Sequence, residues 1–268
     1  MGTRMPGMEG DVSMSSTDER PQELDFLGYG GGIVPFASSD VDFHRDVAML
    51  ARRVHAETRP HYEPVAAEFA ALATTHLESV AEAGALLLLG KAGWRSVSEL
   101  ETSAALIEQL HMDLRDGPAI DAAQDTKVVR VADLTSETQW PRFSDAAVAN
   151  TPVRSLLCIP LYTHIHTWGA LMLLSHRPNG LDHGTEQAGA ILATHAALTL
   201  EAMHHDRHYR SALGSRDIIG QAKGVLMERF DIDAGAAFAL LTRLAEESHR
   251  PVVVVAKEML ETKLDGRP

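Results

Sequence analysis

The sequence predicts an α+β protein: an antiparallel sheet with flanking helices, joined by a long helix to a C-terminal three-helix bundle. Three observations predict it. Apolar residues recur at helical spacing in three short segments of residues 214–264. Between residues 84 and 175, apolar and β-branched runs bounded by turn residues alternate with helical stretches. Residues 185–209, lying between these regions, are polar, Ala-rich and helical in period. At 268 residues the chain exceeds one ordinary domain, which favours two.

Taken in order, residues 1–40 are rich in Gly, Ser and Met, carry GYGGG at 28–32 and keep no period, so they are expected to form a flexible extension. Residues 42–57 and 62–81 place Val47, Leu50, Val54, Val65, Phe69, Leu72 and Leu77 three and four apart, which predicts two helices separated at Pro60. A strand is expected over 85–89, a turn over 90–93 and a second extended piece over 94–97. A helix follows over 102–110. Asp116, Gly117 and Pro118 then predict a break, and Lys127 to Val131 a short strand. After Trp140 and Pro141 a helix runs to Ala149. A strand over 154–161, closing at Pro160, pairs across a turn near His164 to His166 with a strand over 168–175.

Every seventh residue from Ile191 is Leu198, His205, Ala212, Ile219 and Leu226. This is an imperfect coiled-coil seam, weakened at His205 and Gly214, running through a connector of residues 185–213. A long helix with one narrow apolar stripe wants a partner, so a parallel homodimer is expected.

The bundle opens with SRDIIGQAKGVLMERF at 215–230, whose apolar Ile218, Ile219, Ala222, Val225, Leu226 and Met227 fit one helix face. Asp233 is a good N-cap for a second helix over 234–247, with the stripe Ala237, Phe238, Leu240, Leu241 and Leu244. Pro251 suits the start of a third helix reaching residue 263. Val252 to Val255 alone would favour a strand, but Ala256, Lys257, Glu258, Met259 and Leu260 restore helix chemistry.

QAKG followed by Leu226 and Met227, then Ala237 and Phe238 with Leu241 and Arg243, then Ala245, Ser248, Val255 and Ala256, resembles the ANTAR domain over about residues 213–262. That resemblance implies a three-helix output module of bacterial signalling proteins that binds RNA hairpins and controls transcription antitermination or translation. The apolar Val252 to Val254 depart from it, since the family is more polar there. Upstream, DGPAIDA at 116–122, Asp133-Leu134, Trp140-Pro141, Arg154-Ser155, Ile159 to Leu161 and Gly169 to Leu171 resemble a GAF domain over about residues 62–203. This implies a sensor, residues 41–203 with its leading helices, for an unidentified small molecule held between sheet and loops. Related sequences often carry Cys after the Gly-Pro; here Ala119 stands there, so thiol chemistry at that point is absent.

An RNA hairpin loop offers unstacked bases and phosphates, so its reader needs cations, amide or hydroxyl groups and a stacking surface. Arg216, Gln221, Lys223, Gly224, Phe238, Arg243 and Ser248 are the candidate RNA-binding residues. Phe238 and Met227 lie on apolar stripes and are read first as core. Gly224 inside a helix costs about 1 kcal/mol against alanine, which points to close approach of either a packed helix or a nucleic acid.

The formal charge of −13 argues against bulk attraction to RNA. Residues 214–268 hold eight Lys or Arg against nine Asp or Glu, a net −1, so −12 lies upstream and binding must rest on a local cluster. Cys158 is the single cysteine, which excludes an intrachain disulfide and a cysteine zinc cluster. No apolar run reaches membrane-span length and no signal sequence opens the chain, so a cytoplasmic protein without membrane association is expected. His164, His166, His204, His205 and His208 are read as surface histidines rather than ligands; no metal, cofactor or catalytic residue is expected. The alternative function is a small-molecule or redox sensor whose bundle docks or dimerises proteins.

Overall fold

The computed structural model describes residues 38–56 and 61–265. The extension expected over 1–40 lies outside that range except for its last three positions, which open a helix. The break expected at Pro60 also lies outside it.

Two leading helices, α1 (Ser38–Ala56) and α2 (Tyr62–His76), precede the sheet. Helix α2 stops short of residue 81 because Leu77 turns extended at φ −114° and ψ 100°. The strands are β1 (Glu82–Leu88), β2 (Trp94–Ser96), β3 (Val129–Val131), β4 (Ser155–Tyr162) and β5 (Thr167–Ser175). Helices α3 (Ser103–Leu114), α4 (Pro118–Asp125) and α5 (Pro141–Asn150) fall between β2 and β4. The sheet order is β2-β1-β5-β4-β3, antiparallel at every pairing.

Both faces of this sheet are covered. Leu87, Leu157, Ile159, Leu171 and Leu173 pack with residues of α1, α2 and the C-terminal helix of the domain. Leu86, Leu156, Cys158, Met172 and Leu174 pack with α3, α4 and α5. Two-sided burial explains why β4 and β5 read as unbroken apolar runs instead of alternating ones. Each fully buried leucine contributes about 1.5–3 kcal/mol.

The break expected at residues 116–118 is present between Leu114, where α3 ends, and Pro118, where the unexpected helix α4 begins: Gly117 is its N-cap at φ 131° and Pro118 takes the first helical position, where its missing N–H costs nothing. One local expectation is corrected. Strand β4 does not close at Pro160 but runs to Tyr162. Its neighbour β3 pairs only with Leu156 to Cys158, so Pro160 sits at an open edge that tolerates the missing donor.

Helix α6 (His183–Phe230) is 48 residues long, roughly 72 Å, and continues through Gly214 without interruption. Asp182 caps it, its carboxylate accepting from the Thr185 N–H at 2.8 Å. The expected connector and the first bundle helix are therefore one element. Its first half packs on the sheet, residues 205–214 are exposed on every side, and its last turns enter the bundle. The heptad seam follows these changes of surroundings: Ile191 packs on the core of the sheet domain, Leu198, His205 and Ala212 are exposed, and Leu226 is buried in the bundle. A straight helix drifts about 20° per heptad, so one seam cannot hold a single face over this length.

Helices α7 (Ala234–Ser248) and α8 (Val252–Asp265) complete the bundle. The Asp233 carboxylate accepts from the Ala236 N–H at 2.8 Å, as the N-cap reading requires. The valine run of α8 is helical, because Val252 closes over the bundle core and Ala256 is buried in it.

Candidate nucleic-acid interface

The bundle core consists of Ala222, Leu226, Ala237, Leu241 and Ala256. Alanines at three of these positions bring the helices close together. The buried stripes are correspondingly narrow, and larger apolar residues beside them stay in solvent. Phe238 is 46% exposed and Met227 37%, so neither is the core residue that apolar spacing predicts. Phe230 and Leu244 are exposed as well.

These exposed groups fall beside a cation. The Lys223 Nζ lies 5.9 Å from the centroid of the Phe238 ring, joining α6 to α7 across the bundle surface. Arg216 is two helical turns before Lys223 and Phe230 two turns after it, with Met227 one turn on, so all four share one side of α6. The Arg229 guanidinium stands 6.0 Å from the Phe230 ring. The result is a strip of two aromatic rings, a thioether and cations in contact with water.

The other candidates sit elsewhere. Gln221 is roughly 160° round α6 from Lys223, and its amide donates to the Asp217 carboxylate at 3.1 Å. Arg243 is exposed roughly 140° round α7 from Phe238. The Ser248 hydroxyl donates to the Leu244 carbonyl at 2.6 Å, at the end of α7 where His249 takes the left-handed cap at φ 54°. Gly224 faces open space, with no atom within 4 Å of where a Cβ would stand, so packing inside this chain does not require it. Phe230 and Met227 were not among the sequence candidates; their spacing from Lys223 was the available signal. Arg250 is held by Glu258, whose carboxylate accepts at 2.8 Å, and this pairing lowers the acid's pKa and raises the base's.

In the sheet domain, the face covered by α3, α4 and α5 holds the second apolar core, with a cavity of about 460 Å³ beside it among Trp94, Met112, Arg115 and Ile120. His111 is buried there, its Nδ1 donating to the Ile107 carbonyl at 2.7 Å and its Nε2 accepting from the Ala119 N–H at 3.0 Å. Burial holds the imidazole at about pKa 4, so it is neutral. The Cys158 thiol is buried in the sheet, and burial, ahead of the charge of Asp121, pushes its pKa up, which leaves no reactive thiolate.

With this geometry established, comparison with known proteins decides the family. The GAF domain model matches residues 63–201, more than half of the chain, and the ANTAR domain model matches residues 207–260. The chain belongs to the GAF-ANTAR proteins. GAF domains are small-molecule sensors and ANTAR domains are RNA-binding antitermination regulators, which makes a GAF-ANTAR chain a sensor joined to a regulator. No curated protein matches the chain. Among solved structures, the GAF domain of an Acinetobacter phosphoenolpyruvate-protein phosphotransferase is similar at 11% identity, covering 63% of this chain and 97% of that one, TM-score 0.46. The free methionine-R-sulfoxide reductase of Neisseria meningitidis in complex with its substrate is similar at 15% identity, covering 64% and 95%, TM-score 0.46. A bacteriophytochrome of R. palustris is similar at 11% identity, covering 69% and 42%, TM-score 0.47. Among the described residues, no helix is long and apolar enough to cross a membrane.

Proposed function

We propose that the ANTAR bundle grips RNA hairpin loops with the strip formed by Arg216, Lys223, Met227, Phe230 and Phe238, and that the GAF domain sets when it does so. The output would be control of transcription antitermination or translation in a bacterial cytoplasm. The observation that carries this reading is the exposed Phe238 ring with the Lys223 ammonium beside it. An unstacked loop base has a π-face for the ring and an adjacent phosphate for the cation. Upstream acidity repels RNA from the sensor, so the strip acts locally.

Affinity for a tandem-hairpin RNA tests it. Phe238→Ala is expected to lose about 1–3 kcal/mol, roughly five- to 150-fold, as removal of one stacking platform does. Lys223→Ala should lose less and reduce the salt slope by about 0.7 to 1. Unchanged affinity in both variants, with helicity intact by circular dichroism, rejects the strip. Gln221, Arg243 and Ser248 belong to this reading only as contacts on a second side of the bundle.

The same exposed apolar residues support a second reading, a protein-docking or dimerisation bundle. Binding with no salt dependence, or none to structured RNA, favours it. A parallel homodimer along α6 fits both readings, because Leu198 and Leu213 are large apolar residues left in solvent on the connector. Sedimentation should give twice the chain mass at micromolar concentration; a monomer removes the dimer.

A further inference from the structure

A cavity of about 730 Å³ lies at the foot of the connector, on the sheet face covered by α1, α2 and α6, opposite the face of α3 to α5. Its wall is built from four stretches far apart in sequence: the start of α2, the end of β1 with the turn after it, the start of β5 and the turns of α6 that leave the sheet. Ring-bearing residues make up half of that wall. Tyr62 and Trp168 are 5.4 Å apart between centroids, Trp168 and His204 5.4 Å, and His204 and His208 4.3 Å. The Arg207 guanidinium lies 4.5 Å over the Tyr62 ring. Tyr62 and His204 share a hydrogen bond of 3.2 Å that ties α2 to α6.

The charge at this site is fixed by what lies behind the rings. Glu201 is buried and its carboxylate accepts from Thr163 Oγ1 at 3.0 Å, Trp168 Nε1 at 3.2 Å and His166 Nδ1 at 3.0 Å, and pairs with His205 Nε2 at 3.1 Å. Its lone pairs are committed, so it offers little to a cation entering the cavity. Burial, ahead of the neighbouring His208 and His166, holds the His204 imidazole below its ordinary range, leaving it a neutral partner. Glu63 also lines the cavity. Among the described residues no group of three or more His, Cys, Asp or Glu side chains could hold a metal ion.

We propose that this cavity binds a planar aromatic anion, a ring system that carries a carboxylate or phosphate group. The ring would lie against the edges that this aromatic cluster presents to the cavity, and the anionic group would meet Arg207 and His208. The volume falls within the roughly 300–1,000 Å³ of small-molecule sites. His204, Arg207 and His208 also begin the stretch where α6 emerges into solvent, so an occupant would grip the connector at its root and bias how it leaves the domain. The proposal rests on reading the GAF domain as a small-molecule sensor, but it places the ligand on the helical side of the sheet.

The test is calorimetry on the full chain with flavin mononucleotide and adenosine monophosphate, and with riboflavin and adenosine as their uncharged counterparts. At least one phosphorylated compound should bind saturably and at least tenfold tighter than its counterpart. Arg207→Ala and Trp168→Phe should each weaken it at least tenfold, judged only in variants that keep the wild-type melting profile, and the indole signal of Trp168 should shift on titration. No saturable binding by either phosphate, equal affinity for charged and uncharged forms, or binding indifferent to both substitutions overturns the site. Since no RNA is present, RNA binding can fail while this binding survives, and the reverse outcome sinks the cavity alone.

Discussion

Gly189 and Gly224 belong to the same helix and live in opposite surroundings. A Cβ at Gly189 would stand 2.4 Å from the Ile159 side chain and 2.9 Å from that of Leu173, so α6 lies against the sheet there because glycine permits it. A Cβ at Gly224 would meet nothing within 4 Å. The GAF domain spends its small residues on close packing under two layers of helices. The ANTAR bundle, with Ala222, Ala237 and Ala256 in its centre, has a small core and keeps Phe230, Phe238 and Leu244 outside it. One region buries its large apolar side chains on both faces of a sheet, and the other leaves several of them in solvent.

The sharpest break of this comparison is Leu241→Ala. Leu241 is fully buried among few neighbours, and its truncation should cost about 2–5 kcal/mol. In so small a core that should melt the bundle while the GAF domain keeps its own transition, visible as two steps in a thermal scan. A single joint transition would mean that the two regions are one cooperative unit.

Next in size is a pH effect confined to the sensor. The folded His111 titrates at about 4 against an ordinary 6.5. Between those values the unfolded chain binds a proton that the folded chain does not, so acid destabilises the fold in that window and nothing is lost above it. His111→Gln removes this contribution. The stability gap between wild type and variant should narrow by about 3 kcal/mol from pH 6.5 to 4 in urea titrations. A constant gap would contradict a neutral buried imidazole.

The smallest expected effect tests the exposed surface itself. Gly224→Ala should stabilise the bundle by about 1 kcal/mol, because helix propensity improves and nothing is displaced. If the glycine serves an approaching nucleic acid, the more stable variant binds RNA more weakly. Unchanged RNA affinity would leave Gly224 without a role at the interface.

Much of the fold was legible in the sequence where local rules decide it. Asp233 caps α7 because a carboxylate satisfies a free N–H at a helix start, and the β4–β5 hairpin followed from two apolar runs around a polar turn. The break at residues 116–118 was legible, but helix α4 just after it was not, because proline both breaks helices and begins them. The candidate interface was half legible. Lys223 and Phe238 were named, but periodicity alone cannot say that the bundle buries Ala237 and Leu241 and leaves Phe238 in water. The histidine-lined cavity was hidden for a different reason: Tyr62 meets His204 across 142 residues of sequence, and single histidines in a run look like solvated surface.

The account turns on the strip around Lys223 and Phe238. The most direct test is a salt titration of tandem-hairpin RNA binding by wild type, Lys223→Ala and Phe238→Ala under one set of conditions. The account predicts a slope that falls by about 0.7 to 1 in Lys223→Ala, and in Phe238→Ala an affinity loss at every salt concentration with the slope unchanged. Wild-type slopes and affinities in both variants would contradict it.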